Sequence, residues 1–218
     1  MSQVRILTLC VLVAFAALTG CDVQCVNGAY NSVCYTEGYY YDSRVSGIDY
    51  ETSLDGEVIM TGVTGENDDP GLFLFVEGAT VSLSLGGTAL GEVDAKERIT
   101  PFDLAGVAEE AIGGCDVGAS LPDDGSAFRV VHNMAVVLQT LDTDGDPSGT
   151  IDISPDVAAL FENVSLEFDQ PWEDFQTDAD LQGVLDAANN GNLFPEARTL
   201  RGRVEALRAL YQGIGLCP

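Results

Sequence analysis

The sequence predicts an α+β protein in which a small antiparallel β-sandwich over residues 39–99 is followed by a helical module over residues 100–218. Three observations predict this fold class. Short segments of alternating polar and apolar residues, separated by Gly-containing turns, fill the first range. Apolar residues recur every three or four positions in the second range, which is the period of a helix face. With 46% hydrophobic residues, the chain is too apolar to be a disordered acidic protein.

Five strands are expected in the first range, at 45–52, 57–63, 72–76, 81–85 and 89–93. Glycines stand between them, as in Glu77-Gly78 and Gly86-Gly87, where antiparallel strands need turns. The acidic stretch that contains Asp68 and Asp69 falls between two of these strands. We interpret it as a solvated turn, with a second cation site as the less favoured alternative.

Helices are expected in the second range. One apolar helix face is marked by Phe128, Val131, Met134, Leu138 and Leu141. Ser154-Pro155 is a helix start, with Ser as the N-cap and Pro at the first helical position. A weaker helix is expected at 178–188.

The last helix is predicted to begin at Pro195, with a buried stripe of Leu200, Val204, Leu207 and Tyr211. Four arginines fall on this segment: Arg198, Arg201, Arg203 and Arg208. Because no Lys or Arg occurs between Arg129 and Arg198, we expect these four to pair with the intervening acids, although exposed ion pairs are each worth little.

Residues 1–20 have the features of an export signal. A single positive charge, Arg5, precedes an apolar run over 6–18 that is too short to span a bilayer comfortably. The run ends in Leu18-Thr19-Gly20-Cys21, which resembles the bacterial lipobox. That resemblance implies cleavage before Cys21 and attachment of acyl chains such as palmitate to its thiol and its new amine. The alternative is an ordinary signal peptide followed by a chance Cys.

The resemblance to a lipobox implies a protein of the bacterial cell envelope, held in a membrane by its lipid, with residues 21–38 as anchor and tether. Several acyl chains on one residue give stable anchoring, since each buried methylene contributes about 0.8 kcal/mol. Asp22 resembles the inner-membrane retention signal of enteric bacteria. Because the rule differs in other lineages, inner and outer membrane both stay open.

The chain is strongly acidic, with 35 Asp and Glu against 9 Lys and Arg and a formal net charge of -26. Removal of the signal takes away Arg5 and no acid, so the mature chain is more acidic still. Such a charge argues against nucleic acid and anionic membrane surfaces as partners. It favours solubility, cation binding or a salty environment in which the repulsion is screened.

The cysteines fit an exported protein. Cys10 leaves with the signal and Cys21 is the lipidation site, so the four that remain are Cys25, Cys34, Cys115 and Cys217. An even number in an oxidising compartment predicts two disulfides, and three pairings are possible. We favour Cys25–Cys34 as a short loop and Cys115–Cys217 as a clasp on the C-terminal region.

An acidic loop directly after the first long helix is the most specific internal feature. Asp142, Asp144 and Asp146 alternate there, as carboxylates do in EF-hand-like calcium loops. The Asp152 carboxylate and a backbone carbonyl near Ser148 or Thr150 would complete the shell of a calcium ion. Pro147 stands where the EF-hand has its invariant Gly, and the twelfth position has no Glu. The alternative is a plain acidic turn between a helix and a strand.

No enzyme signature is present in the sequence, which lacks Gly-x-Ser-x-Gly and a phosphate-binding glycine loop. His132 is expected to be a packed or surface residue of the helix. Trp172, with Phe168 and Phe175, is expected to form a small core cluster, and a sugar-stacking surface is the alternative. The sequence therefore predicts a non-enzymatic protein. A polysaccharide or cell-wall hydrolase is the weaker alternative, because it would need two carboxylates at a catalytic separation.

Several motifs in order resemble a family of largely uncharacterised bacterial surface lipoproteins. They are YDSRVSGIDYET at 41–52, TG at 61–62, GLF at 71–73, EGATVSL at 77–83, LG at 90–91, ITPFDL at 99–104 and LQTLDTDGDP at 138–147. The resemblance covers about residues 39–155 and implies a transthyretin-like or immunoglobulin-like β module followed by a helical module. It implies no reaction. It favours a binding, adhesin-like or structural protein that contacts an envelope protein or a polysaccharide, with an accessory subunit of an envelope complex as the alternative.

Overall fold

The structure is a computed structural model that describes residues 23–27, 32–117, 121, 127–146 and 149–218. The strands are β1 (Val23–Asn27), β2 (Ser32–Tyr40), β3 (Val45–Ser46), β4 (Asp49–Leu54), β5 (Glu57–Val63), β6 (Leu72–Phe75), β7 (Thr80–Leu85), β8 (Thr88–Asp94), β9 (Arg98–Ile99) and β10 (Ile151–Asp152). The helices are α1 (Pro101–Leu104), α2 (Phe128–Leu141), α3 (Pro155–Ala159), α4 (Trp172–Phe175), α5 (Ala179–Asn190) and α6 (Arg203–Gly213). The predicted α+β class is confirmed.

One sheet is antiparallel and has four strands in the order β5-β4-β7-β8. Its apolar residues alternate as the sequence predicts. In β7, Val81, Leu83 and Leu85 are buried and the residues between them are half-buried. This alternation gives the sheet one face that packs into the core.

The first predicted strand is divided in two, which corrects the prediction of a continuous strand at 45–52. Gly47 lies between β3 and β4 with a φ of 87°, a left-handed conformation that glycine adopts without strain. A Cβ at this position would lie 2.0 Å from the carbonyl oxygen of Ile153. The glycine therefore lets β3 turn out of the sheet and pair in parallel with β10.

A second sheet is built around β2, which pairs antiparallel with β1 and β6 and in parallel with β9. The segment 21–38, predicted as anchor and tether, thus contains β1 and the first part of β2. The two sheets contact each other where Tyr50 of β4 meets Phe73 of β6, with ring centroids 6.0 Å apart.

Helix α2 contains all five residues of the predicted apolar face, but it is buried on more than that face. Met134, Leu138 and Leu141 belong to a cluster of buried side chains that also contains the strand residues. Val131 and Ala135 belong to a second cluster, formed with α1 and α6. The first cluster draws its residues from both of the ranges that the sequence predicts as separate modules. Helix α2 therefore lies between the two layers of the core.

Two further helices begin with a side-chain N-cap, of which Ser154 was predicted and Asp178 was expected only as the first residue of its helix. The Ser154 hydroxyl accepts a hydrogen bond from the Val157 amide at 3.4 Å, at the start of α3. The Asp178 carboxylate accepts hydrogen bonds from the amides of Asp180 and Leu181 at 3.0 and 3.1 Å, at the start of α5. In both cases a short polar side chain binds amides that the first helical turn leaves without backbone partners.

The last helix begins at Arg203, so the prediction that Pro195 opens it is wrong. The chain before Arg203 instead runs along the ends of α5 and α2. Asn189 forms two hydrogen bonds with the backbone of Arg198, each of 2.8 Å. The Arg201 amide donates to the Thr140 hydroxyl at 2.9 Å. These tertiary hydrogen bonds replace those that a helix would make within the segment.

The structure contains the predicted disulfide between Cys115 and Cys217, which joins the loop after α1 to the end of the chain. Cys34 is also disulfide-bonded. The register of β1 and β2 places Cys25 opposite Cys34, although the Cys25 side chain lies outside the described residues. The predicted signal and the lipidation site Cys21 lie outside them as well. In the described part of the chain, no helix has the length and apolar composition of a membrane span.

We expect replacement of both Cys115 and Cys217 by Ser to lower the free energy of unfolding by roughly 4–5 kcal/mol, because the bond closes a loop of 102 residues in the unfolded chain. Urea denaturation followed by circular dichroism measures this change. As a control, a reductant should destabilise the wild-type protein by breaking this bond, whereas the double variant, which lacks the bond, should lose no stability through it. An unchanged unfolding midpoint in the double variant would contradict the prediction.

Candidate functional site

The acidic loop leaves the C-terminal end of α2 and is closed by contacts with Asp152 of β10. The buried Asp142 accepts a hydrogen bond through Oδ1 from the Asp152 amide at 2.9 Å. The amide and the hydroxyl of Thr143 both donate to the Asp152 carbonyl, at 2.8 and 2.6 Å. Asp144 accepts a hydrogen bond through Oδ1 from the Asp146 amide at 2.7 Å. The loop is therefore closed largely by hydrogen bonds to backbone groups.

The guanidinium group of Arg198 lies against this loop. It donates to the carbonyl oxygens of Thr140 and Thr143 at 3.1 and 2.8 Å, and also to that of Asp142. It packs so closely on Gly145 that a Cβ there would lie 3.0 Å from Nη2. Carbonyls at a helix C-terminus carry partial negative charge and have no partners within the helix, so a planar cation stabilises them.

The sequence interpretation missed this role, since it expected Arg198, Arg201, Arg203 and Arg208 to pair with acids. The three ion pairs found among the described residues are Arg44–Asp69, Lys96–Asp103 and Arg98–Glu109. Arg203, like Arg198, donates to a backbone carbonyl, that of Leu121 at 3.2 Å. The distribution of charged residues along the chain could not have predicted these contacts of Arg198 and Arg203, because their acceptors are backbone carbonyls.

Asp142 is the member of the loop whose ionisation the structure alters most clearly. Burial and the neighbouring Asp144 carboxylate raise the pKa of Asp142 to about 6, while the Asp152 amide and the Arg198 charge act in the opposite direction. Its Oδ2 atom is buried without a hydrogen-bond donor among the described residues. A proton or a cation at this atom would therefore be favourable.

The structure brings together only part of the predicted calcium shell. Asp142 and Asp144 are neighbours, whereas Asp152 contributes backbone atoms and its side chain is exposed. Asp146 is exposed too, and Ser148 lies outside the described residues. Within the described ranges, no group of three or more His, Cys, Asp or Glu side chains is arranged to hold a metal ion. Calcium binding at this loop stays a prediction.

A second polar cluster lies between α2, α6 and the turn after β2, and the sequence did not reveal it. Asp42 is completely buried, and the Gln139 amide donates to both of its carboxylate oxygens, at 2.9 and 3.2 Å. The same amide nitrogen donates to the Ala206 carbonyl at 2.9 Å. Burial raises the pKa of Asp42 well above its usual range, against the opposing effects of Gln139 and the Arg201 charge. The cluster joins residues 97 positions apart in the chain.

Two cavities open near this cluster and share Arg201. The first has a volume of about 420 Å³ and is lined by residues of α6, among them Glu205, Arg208 and Gln212, and by Ser43. The second has a volume of about 400 Å³, and its walls include Trp172, Gln176, Gln182 and Asp186. Both cavities are therefore lined mainly by side chains that donate or accept hydrogen bonds.

The aromatic residues of the helical range are packed. His132 is completely buried and meets the rings of Phe128 and Trp172 edge-on, at centroid distances of 5.7 and 6.4 Å. Phe168 and Phe175 are buried with their centroids 5.9 Å apart. Trp172 is half-buried, so it packs on the core and also lines the second cavity.

Comparison of the chain with protein-family models, curated proteins and solved structures gave no match. The likeness to bacterial surface lipoproteins therefore stays an expectation from the sequence motifs.

We expect Arg198→Met to lower the free energy of unfolding by about 2–4 kcal/mol, because it leaves the carbonyls at the end of α2 without their charged donor. Arg198→Lys should recover only part of this loss, since an ammonium group cannot match the planar fork. Urea denaturation measures both variants. The control is Arg208→Met, an exposed change of the same kind, expected within about 0.5 kcal/mol of the wild type. Equal effects at positions 198 and 208 would refute this role for Arg198.

Proposed function

We propose that this protein is a lipid-anchored, extracytoplasmic protein of the bacterial cell envelope that acts as a non-enzymatic binding, adhesin-like or structural module. The observation that carries the proposal is the Cys115–Cys217 disulfide, because structural disulfides form and persist in oxidising compartments. It supports the export that the signal at residues 1–20 predicts. The lipobox cysteine, Cys21, then supplies the anchor.

The architecture supports a binding or display role. The contact between the two sheets through Tyr50 and Phe73 is consistent with the proposed sandwich of transthyretin-like or immunoglobulin-like type. The two cavities beside α6 offer polar surfaces to a ligand. The acidic charge favours solubility in the extracytoplasmic space and disfavours adhesion to anionic lipid surfaces, so the lipid itself would be the membrane contact.

We expect Cys21→Ala to abolish lipid attachment and to move the protein from the membrane fraction to the soluble fraction. The physical reason is that the acyl chains supply the apolar surface that partitions into the bilayer. Metabolic labelling with an alkyne analogue of palmitate, followed by fractionation, measures both effects. Cys10→Ala is the matched control, since Cys10 lies within the predicted signal and should leave labelling unchanged. Equal labelling of the Cys21→Ala protein would refute the proposed anchor.

Calcium is the proposed cofactor, in a stabilising role, and Asp142 and Asp144 are the residues of the described loop that would hold it. Two neighbouring carboxylates and the buried Asp142 Oδ2 atom are suitable oxygen ligands for a hard cation. A bound cation would neutralise the repulsion between them. Arg198 already binds the Asp142 and Thr143 carbonyls, so the carboxylates would carry the interaction.

We expect millimolar calcium to raise the melting temperature of the wild-type protein by several degrees relative to a chelator, since a ligand that binds only the folded state stabilises it. Asp144→Ala should remove this increase. Glu77→Ala is the matched control, because it deletes one exposed carboxylate elsewhere and should leave the increase intact. Differential scanning calorimetry measures all three proteins. A wild-type melting temperature indifferent to calcium would rule out the cofactor.

A further inference from the structure

Two arginines differ from the others in their partners. In the described ranges, Arg44, Arg98, Arg129, Arg198 and Arg203 all donate side-chain hydrogen bonds to protein acceptors. The guanidinium groups of Arg201 and Arg208 form no hydrogen bond or ion pair with any described residue, and the Nε atom of Arg201 is buried. Both line the same cavity of about 420 Å³. Two guanidinium groups without hydrogen-bond acceptors among the described residues thus share one concave surface in a chain of net charge -26, and the charge of Arg201 also acts on the buried Asp42 carboxylate.

The wall of this cavity is set by the geometry of α6. Glu205, Arg208 and Gln212 follow one another at intervals of three and four residues, which places them along one face of α6, and Arg201 lies in the non-helical segment just before it. Their backbone is held in place from behind, where the Arg201 amide donates to Thr140 and the Ala206 carbonyl accepts from Gln139.

The opposite wall is Ser43, whose position depends on a close approach to α6. A Cβ at Gly213 would lie 2.1 Å from the Ser43 hydroxyl oxygen, so the two walls meet only because residue 213 is glycine. Ser43 has a φ of 98°, a left-handed conformation that residues other than glycine rarely adopt. A residue keeps such a strained backbone conformation only where the surrounding structure fixes it, and strained residues are common in ligand-binding segments.

We propose that this cavity binds the carboxylate of a small monoanionic sugar acid of the uronic acid type. A guanidinium group matches a carboxylate through two parallel hydrogen bonds, and two such groups face the cavity. Glu205 also lines the cavity, and the whole molecule is acidic, so a ligand with two negative charges would be repelled more strongly than one with a single charge. This favours a carboxylate over a phosphate.

The neighbouring cavity supplies the argument for a sugar. It shares Arg201 with the first, and its lining includes Trp172, Gln176, Gln182 and Asp186. Amide side chains can donate to and accept from hydroxyl groups, a carboxylate accepts from them, and an aromatic ring packs on the apolar face of a sugar. A carboxylate held between Arg201 and Arg208 would leave the hydroxyl-bearing body of the ligand directed towards this second cavity.

This inference names a ligand class for the binding role proposed above, and it does not depend on the lipid anchor. Trp172 is the single tryptophan of the chain, so its fluorescence reports on the second cavity without labels. The experiment titrates the full-length protein in detergent with sodium glucuronate at fixed ionic strength, followed by fluorescence and by calorimetry. Glucose, which lacks the carboxylate, and inorganic phosphate are the comparison ligands.

We expect saturable glucuronate binding that changes the Trp172 fluorescence and is at least tenfold tighter than binding of glucose or phosphate. Arg208→Gln and Arg201→Gln should each weaken glucuronate binding tenfold or more. Arg129→Gln is the matched control, because it removes the same charge outside the lining of the cavity and should bind as the wild type does. Arg208 is exposed, so its replacement should leave the fold intact.

The proposal is overturned if glucuronate does not saturate the protein, or if glucose or phosphate binds as tightly. It is also overturned if Arg208→Gln and Arg129→Gln affect binding equally. Binding that calorimetry detects without a change in fluorescence would overturn the assignment of the sugar to the cavity beside Trp172. If the titrations show no binding but Cys21 is labelled with palmitate, the proposed ligand is wrong and the proposed lipid anchor is supported. If glucuronate binds but Cys21 is not labelled, the proposed anchor is wrong and the proposed binding site is supported.

Discussion

A helix that is buried on nearly every side needs hydrogen-bond acceptors within the protein for its side-chain N–H groups, and α2 is such a helix. Twelve of its fourteen residues are buried. The Asn133 amide donates to the carbonyls of Phe168 and Gln170, and Gln139 donates to Asp42 and Ala206. Each of these bonds avoids the cost of a buried unsatisfied group, which is about 1–3 kcal/mol. The segments that pack around α2 therefore also supply the acceptors for the side-chain amide nitrogens of Asn133 and Gln139.

The end of α2 shows how the same constraint shapes the acidic loop. The last carbonyls of the helix have no intrahelical partners, and Arg198 supplies them from a segment 55 to 58 positions further along the chain. The segment that contains Arg198 is not helical, and its side-chain and backbone hydrogen bonds to the end of α2 take the place of helical ones. Helix α6 therefore begins only at Arg203. The loop acids meanwhile lie beside a fixed guanidinium group, so any bound cation would share the loop with a positive side chain.

Because the chain has few basic residues, the partners of its arginines can be followed one by one. Arg98 and Arg44 pair with acids, and Arg198 and Arg203 bind carbonyls. Arg201 and Arg208 lack such partners in the described structure and meet at one cavity. A positive cavity on so acidic a molecule selects ligands of low negative charge, because the long-range field opposes the approach of polyanions. At this cavity the two arginines outnumber the one lining carboxylate, Glu205, so the repulsion of an anion by the net charge would be reduced there.

Local signals in the sequence determined much of the secondary structure. The predicted strands at 57–63 and 81–85, the apolar helix face from Phe128 to Leu141, the Ser154 cap and the Cys115–Cys217 bond, favoured among three pairings, all agree with the structure. These signals are local or need only a count: alternation, helical periodicity and capping residues involve a few neighbouring positions, and an even number of cysteines is counted directly. They can therefore be recognised in the sequence without knowledge of the tertiary structure. The tertiary structure alone decided the parallel pairing of β10 with β3, the start of α6, the contact of Asp42 with Gln139 and the convergence of Arg201 and Arg208 with Ser43. Each of these joins groups far apart in the chain through burial and hydrogen-bond geometry, which no local pattern encodes.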